Sequence, residues 1–339
     1  MDATVSTEAV VQFTIVWEQG KVISVSTTCP AVNHFLELVK LTRSYNTWVN
    51  YIHDLKCFFS VIPKEPEGVT RADCLTFMKA EHQAGYADAT INRRLAAVSS
   101  LFTELNLLAP DHFALNPIHP RAFRRDQRQA GQSLYRRQPQ RVPDILTDEE
   151  LQRFLAVLPS WRDRTLVLLL WMSCLRISEA VAICFQDIEC SRRSIWIPVA
   201  KWGSARTVFL DGVTFAALNR YLDEERQTLF PDVEKVFVAF KGKARGRPLQ
   251  VNAVQKLLKY YAEQCELPHL HGHLFRHTGI TQLVQQGMPE PAVRQFVGHR
   301  SPDSLLPYLH LADDFVEREF ASAQAGLDLV SWFGTGGAA

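Results

Sequence analysis

Apolar residues recur along this chain with two different periods. Residues 1–30 alternate weakly, with Val11, Phe13 and Ile15 and then Val22, Ile23 and Val25 arranged around Gln19-Gly20. That alternation predicts a short hairpin. From Ala31 the period becomes helical. Ser44 is placed as an N-cap ahead of Trp48, Ile52, Leu55 and Phe59, which fall at offsets of 0, 4, 7 and 11. Val69 to Asp73 opens another helix, containing Leu75, Phe77 and Met78. One more begins near Asp88 and carries Leu95, Val98, Phe102 and Leu105 on one face. Together these predict a small all-helical domain.

The pattern then lapses. Residues 117–143 are rich in Pro, Arg and Gln, with almost no apolar periodicity, and read as a linker. After Ile145 the run Thr147-Asp148-Glu149-Glu150 is a cap followed by acids at a helix start. Helices dominate from there, and the apolar run from Thr165 to Leu175 has the length of a buried core helix, well short of a bilayer span. One β region interrupts: Ser194–Val199 and Thr207–Leu210 flank Lys201-Trp202-Gly203-Ser204, putting Lys201 at a hairpin tip. A further short strand, Val236–Phe240, leads into a loop with four cations and no acid, Lys241 to Arg247. The fold class is therefore mainly α with a small β-sheet, in two domains.

At 339 residues the chain can bury two cores. An apolar share of 47% and a charged share of 22% suit a soluble protein, and the start MDATVSTEAVVQF lacks the basic and apolar blocks of a signal peptide. Seven scattered cysteines fit reduced thiols and a cytoplasmic protein away from membranes. The net charge of +1 argues against a polyanionic partner until its distribution is considered. Between Pro120 and Pro143 seven arginines, including Arg121, Arg124 and Arg125, face one acid, so that strip carries +6 and the rest sums to −5. A solvated tether is one reading of such a segment, and a basic strap along a DNA backbone is the other.

The second half holds the candidate chemistry, in the blocks SCLRISE (173–179), HLFRHT (273–278) and VGHRSPDSLLPY (297–308). Arg176 and Arg276 suit a phosphodiester because a guanidinium grips phosphate bidentately and keeps its charge. Tyr308 is a nucleophile that needs local help, since an ordinary phenol ionises near ~10. His273 can accept a proton and His299 can bond the phosphate. Lys201 is a plausible acid for the leaving oxygen, and Glu179 stands three residues after Arg176, within reach of an ion pair.

In this order and spacing the six residues resemble the tyrosine site-specific recombinases, the phage integrase family, over residues of about 31 to 310. The resemblance implies that Tyr308 forms a 3′-phosphotyrosyl link and frees a 5′-hydroxyl. It implies that Arg176 and Arg276 clamp the phosphate, that Lys201 protonates the leaving oxygen, and that His273 and His299 are the two family histidines. Glu179 matches an acidic residue that supports the first arginine. No metal, cofactor or ATP is implied. Cys174 departs from the pattern, standing where the family usually has glycine; Phe275 stands for the usual leucine, and Trp202 for the glycine after the lysine.

The resemblance also implies an organisation. An N-terminal extension covers 1–30, a helical, SAM-like core-binding domain 31–117, a basic linker 118–144, an α+β catalytic domain 145–310, and a tail 311–339 whose apolar residues either pack on their own domain or, as is common in the family, dock on a neighbouring subunit. The two domains would close as a clamp on a double-stranded DNA target site. Candidate DNA contacts are Thr47, Asn92, Arg93 and Arg94 at helix starts, Arg121, Arg124 and Arg125 in the linker, and Lys241, Lys243 and Arg245 in the basic loop. A tetramer on DNA, possible accessory DNA-binding proteins and a nucleoid location complete the expectation. The reaction would serve integration, excision or transposition of a mobile element, or Xer-type resolution. Three other readings compete: a type IB topoisomerase, a catalytically silent DNA-binding protein on this fold, and a zinc hydrolase using His273, His277 and Cys265.

Overall fold

The computed structural model describes residues 10–113, 116–118, 133–136, 144–198, 205–230, 232–299, 301 and 304–309. Lys201, the linker residues Arg121, Arg124 and Arg125, and the tail 311–339 lie outside the described residues. The chain divides into two compact units, Met1–Pro139 and Gln140–Ala339.

The first unit opens with the antiparallel hairpin β1 (Phe13–Glu18) and β2 (Lys21–Thr27). Its turn residues Gln19 and Gly20 both have positive φ, 48° and 77°, the conformation whose twist matches the flanking strands. Among the described residues four α-helices follow: α1 (Pro30–Thr42), α2 (Tyr45–Val61), α3 (Arg71–Gln83) and α4 (Asp88–Leu108). The Ser44 hydroxyl caps α2 by accepting from the Thr47 amide at 3.2 Å, and Thr70 with Asp73 forms a reciprocal cap on α3. The predicted stripe of α2, Trp48, Ile52, Leu55 and Phe59, is buried against Leu95, Val98, Leu101 and Phe102 of α4. Val11 and Val22 place the hairpin in that same core.

The second unit begins with α5 (Asp148–Ala156), capped reciprocally by Thr147 and Glu150 as the sequence predicts. Helix α6 (Trp161–Trp171) is buried from Arg162 to Leu170 except at Arg164, as its unbroken apolar run requires. A short α7 (Ile177–Ala180) leads to a three-stranded antiparallel sheet, β3 (Ile188–Glu189), β4 (Ser194–Ile197) and β5 (Arg206–Phe209), in that spatial order. Helix α8 (Gly212–Arg220) runs through a π-type turn, Tyr221–Arg226, into α9 (Gln227–Leu229). Helices α10 (Val251–Gln264), α11 (Gly272–Gln285), α12 (Glu290–Val297) and α13 (Leu306–Leu309) follow.

The expected strand Val236–Phe240 is a correction. Its amides and carbonyls are satisfied by different partners: Val236 N donates to Ile183 O at 3.0 Å, and Leu249 N donates to Phe237 O at 2.9 Å. Only single bridges form there, so no ladder propagates. The site is built around α7, α11 and α13. α11 approaches α6 so closely that a Cβ on Gly279 would lie 2.0 Å from the Trp171 carbonyl oxygen, which leaves room for glycine alone.

Candidate active site

Where α6 ends, Cys174 turns the chain with a left-handed φ of 51°. A glycine would take that conformation freely, whereas the buried cysteine takes it at a cost. The turn delivers Arg176 to the N-cap of α7. Glu179, three residues on, accepts from the Arg176 amide at 2.9 Å and from its Nη1 at 2.9 Å. Nε and Nη2 of Arg176 make no other hydrogen bond among the described residues, so the ion pair leaves part of the fork free for an anion.

Glu179 also binds Arg206, a residue sequence reasoning missed. Arg206 gives it Nη1 at 3.1 Å and Nη2 at 2.9 Å. Arg276, buried in α11, stands 3.9 Å from the same carboxylate and donates to the carbonyl oxygens of Cys174 and, at 2.8 Å, Val297. One carboxylate thus serves three guanidiniums. Burial pushes the Glu179 carboxyl up, but the bonds and charge of Arg206 and Arg176 overcome it and hold it near about 2. Burial and the Arg176 charge bring Arg276 down to about 10, still cationic at neutral pH.

His299 follows Gly298, the C-terminal glycine of α12 with φ 71°. Its Nδ1 is buried and has no hydrogen-bond partner among the described residues. Burial, then Arg276, Arg176 and Arg206, pull its pKa down to about 4. In its Nδ1–H tautomer, an imidazole beside guanidiniums can donate to an anion's oxygen. His273, near the start of α11, is more open, and partial burial with the charges of Arg276, His271 and Arg176 lowers its pKa.

Tyr308 lies on α13, 4% exposed, among Cys174, Ile280, Val284, Val297 and Leu305. Burial raises its phenol to about 12, although Arg276 and Arg176 oppose the rise. Its hydroxyl bonds Nδ1 of His277, not His273. His277 is the second residue that sequence reasoning missed as part of this site. The signal was present in HLFRHT, where two histidines flank Arg276, but which one faces Tyr308 depends on helix register.

The structure therefore brings Arg176, Glu179, Arg276, His273, His299 and Tyr308 together. The DNA contacts expected on the helical unit fare differently. Arg94 turns inward to Glu81 and stacks on Tyr86, with its charge centre 4.1 Å from the ring, so it is not a free surface cation. Arg93 is half exposed but paired with Asp54. Asn92 exchanges bonds of 2.9 and 3.1 Å with the backbone of Arg136, and Thr47 takes part in the Ser44 cap. Lys241, Lys243 and Arg245 are exposed, with Arg245 beside the Phe230 ring. For the zinc reading, the Cys265 thiol points to the Arg153 carbonyl and His277 to Tyr308. Among the described residues no three His, Cys, Asp or Glu gather as a metal site.

A sequence model of the phage integrase family matches residues 144–314, half of the chain, and one for that family's N-terminal SAM-like domain matches residues 32–107. Tyrosine recombinase XerC of Bacillus subtilis is 22% identical over 306 residues, covering 86% of this chain and 95% of the relative. XerC of Roseiflexus castenholzii is 29% identical over 288 residues, covering 79% and 84%. Among solved structures, the Tn1549 transposon integrase in complex with a circular intermediate DNA is similar at a TM-score of 0.67 and 17% identity, covering 87% of this chain and all of the other.

Proposed function

The chain belongs to the phage integrase family, whose matched relatives are tyrosine recombinases, and on that premise we propose that it cuts and rejoins double-stranded DNA at specific sites through Tyr308. The observation that carries the reading is the charge imbalance around one buried carboxylate. Glu179 answers Arg176, Arg206 and Arg276, so the pocket beside Tyr308 holds excess positive charge. A phosphodiester supplies the missing anion.

In this reading one non-bridging oxygen takes the free donors of Arg176 and another the orphaned His299 nitrogen, with Arg276 adding charge from beneath. The Tyr308 oxygen attacks phosphorus in line, a 3′-phosphotyrosyl bond forms, and the 5′-oxygen leaves with a proton from Lys201. The energy of the broken bond stays in the protein–DNA linkage, so a free 5′-hydroxyl of the same or a second duplex reverses the step without ATP or metal. His273, nearer the mouth, supports the phosphate. Exposed Lys241, Lys243 and Arg245 supply sequence-independent backbone contacts. Two tyrosines on each of two duplexes make the working unit a tetramer on DNA, and the biological outcome is movement of a mobile element or Xer-type resolution.

The test is covalent trapping. Purified protein meets nicked duplexes drawn from the DNA flanking its own gene, in chelator, and products are separated under denaturing conditions. A DNA-linked band that Tyr308→Phe abolishes supports the reading. Its absence, with salt-sensitive DNA binding intact, favours a silent DNA-binding protein. Relaxation of any supercoiled plasmid without joining of two sites favours a type IB topoisomerase.

A further inference from the structure

We propose that His277 takes the proton of Tyr308 as its oxygen attacks the phosphate, and returns it when the strand is resealed. The inference rests on the recombinase reading above and names a residue outside the six that the sequence singled out. The phenol is enclosed by Cys174, Ile280, Val284, Val297 and Leu305, none of which accepts its proton readily. Among the described residues the hydroxyl's polar partner is Nδ1 of His277, and the two rings lie 5.7 Å apart at 32°. For the phenol to donate, that nitrogen must be unprotonated, which puts the imidazole proton on Nε2. No hydrogen bond joins His273 to Tyr308 among the described residues, and the His273 ring lies beside that of His277, with centres 6.4 Å apart. The bonds of Arg276 go to the Cys174 and Val297 carbonyls.

The step balances. The bond from the Tyr308 oxygen to phosphorus forms and the bond from phosphorus to the 5′-oxygen breaks. The phenol proton passes to His277 Nδ1, while the 5′-oxygen takes its proton from a separate acid. In resealing, the 5′-hydroxyl proton returns to that acid and His277 protonates the departing phenolate.

The surroundings of His277 couple this step to DNA. Facing it are His273 and Arg276 from its own helix, His271 at that helix's N-cap, Asp144 from the segment entering α5, His299 after α12, and Tyr308 from α13. Burial first, then His273 and Arg276, bring its pKa to about 4, while that of Tyr308 stands at about 12. Without DNA the proton therefore stays on the tyrosine. A phosphodiester anion between Arg176 and Arg276 offsets the cationic field that depresses His277, and its basicity rises when there is something to cut.

The experiment is single-turnover cleavage of the nicked duplex by wild type, His277→Asn and His273→Asn across pH 5.5–9.5. A second substrate carries sulfur in place of the bridging 5′-oxygen, a leaving group that needs no acid. The expectation is a loss of about 100-fold or more in His277→Asn, the usual size of a lost proton acceptor. Its rate should climb with hydroxide where wild type levels off, and added imidazole should restore part of it. The defect should persist on the sulfur substrate, because it lies at the nucleophile. A wild-type rate or pH profile in His277→Asn overturns the inference, as does rescue by the sulfur leaving group. If His277→Asn fails to fold, the wild type decides alone: its sulfur-substrate profile must keep one ionisation in the histidine range, and a flat profile overturns the inference. Failure of wild type to form any Tyr308-dependent adduct would instead sink the recombinase reading itself.

Discussion

Arg206 and Glu179 form a buried bidentate ion pair, with guanidinium-to-carboxylate distances of 3.1 and 2.9 Å. Arg206 opens β5 directly after the residues that carry Lys201, and its Nε donates to the Phe296 carbonyl at 2.8 Å, at the end of the helix that precedes His299. One side chain thus ties the β-hairpin, the Arg176 turn and the His299 loop to a single carboxylate. Arg206→Ala should cost about 3–5 kcal/mol, the usual penalty for stranding a buried charge, read as a fall in Tm. Arg206→Lys keeps the charge but loses the fork. It should bind target DNA while cleaving it about 10–100-fold more slowly, the scale of a small misplacement of reacting groups. Unaltered cleavage by Arg206→Lys would remove Arg206 from the positioning machinery.

Gly298 packs against that same arginine. A Cβ there would come within 2.8 Å of Arg206 Nη1, in a backbone with φ 71° that side chains adopt only under strain. Gly298→Ala should therefore cost about 1–3 kcal/mol and also displace His299. Cleavage should fall further than stability alone accounts for when both are measured below the unfolding transition. Gly287 serves as the control: its φ is 83° but nothing lies within 4 Å of the added Cβ. Gly287→Ala should lose stability and leave cleavage intact.

How legible this was depended on whether a residue's role is local. The caps at Ser44 and Thr147, the α2 stripe and the buried α6 all follow from short-range periodicity, and the structure has them. The site motifs were legible because guanidinium, imidazole and phenol chemistry constrains residue type strongly. Arg206 was not, because its partner is 27 residues away across the hairpin. The faint signal was an arginine in phase with Val208, whose side chains share the inner face of β5 while Phe209 faces out. Cys174 departs from the family pattern at a position whose φ of 51° explains the usual glycine. The inward ion pair of Arg94 was not legible for a similar reason: its partner Glu81 lies on another helix, 13 residues away.

Acid should weaken the free protein in two stages. His277 and His299 have folded pKa values near about 4, below the ordinary histidine value. Between roughly 6.5 and 4 the unfolded chain binds more protons, so stability is fully present above about 6.5 and is lost as pH falls through that window. Glu179, held at about 2, adds a second loss from about 4.5 downward. Thermal unfolding from pH 8 to 3 should show this decline, and His299→Gln should flatten its upper part. DNA binding should have the opposite sign. A phosphate beside His299, which faces Arg276, Arg176, Arg206 and His277, raises its pKa, so binding takes up a proton and tightens as pH falls toward 6. Calorimetry in buffers of different ionisation enthalpy measures that uptake, and an unchanged value in His299→Asn would place the proton elsewhere.

Two sets of cations predicted from sequence should now separate in solution. Lys241, Lys243 and Arg245 are exposed on one loop, and no carboxylate is salt-bridged to them among the described residues. If all three meet backbone phosphates, replacing them together by alanine should lower the slope of log K against log salt by about 3. The protein's melting temperature should not move. Arg94, 13% exposed and locked to a Glu81 side chain that is 4% exposed, should behave in reverse. Arg94→Ala leaves a buried carboxylate unanswered and removes the stack on Tyr86. It should destabilise the helical unit by about 3–5 kcal/mol while leaving the salt slope of the folded protein unchanged. A reduced slope in Arg94→Ala without a change in melting would mean that Arg94 leaves Glu81 to meet DNA, and the inward ion pair would then be a resting arrangement.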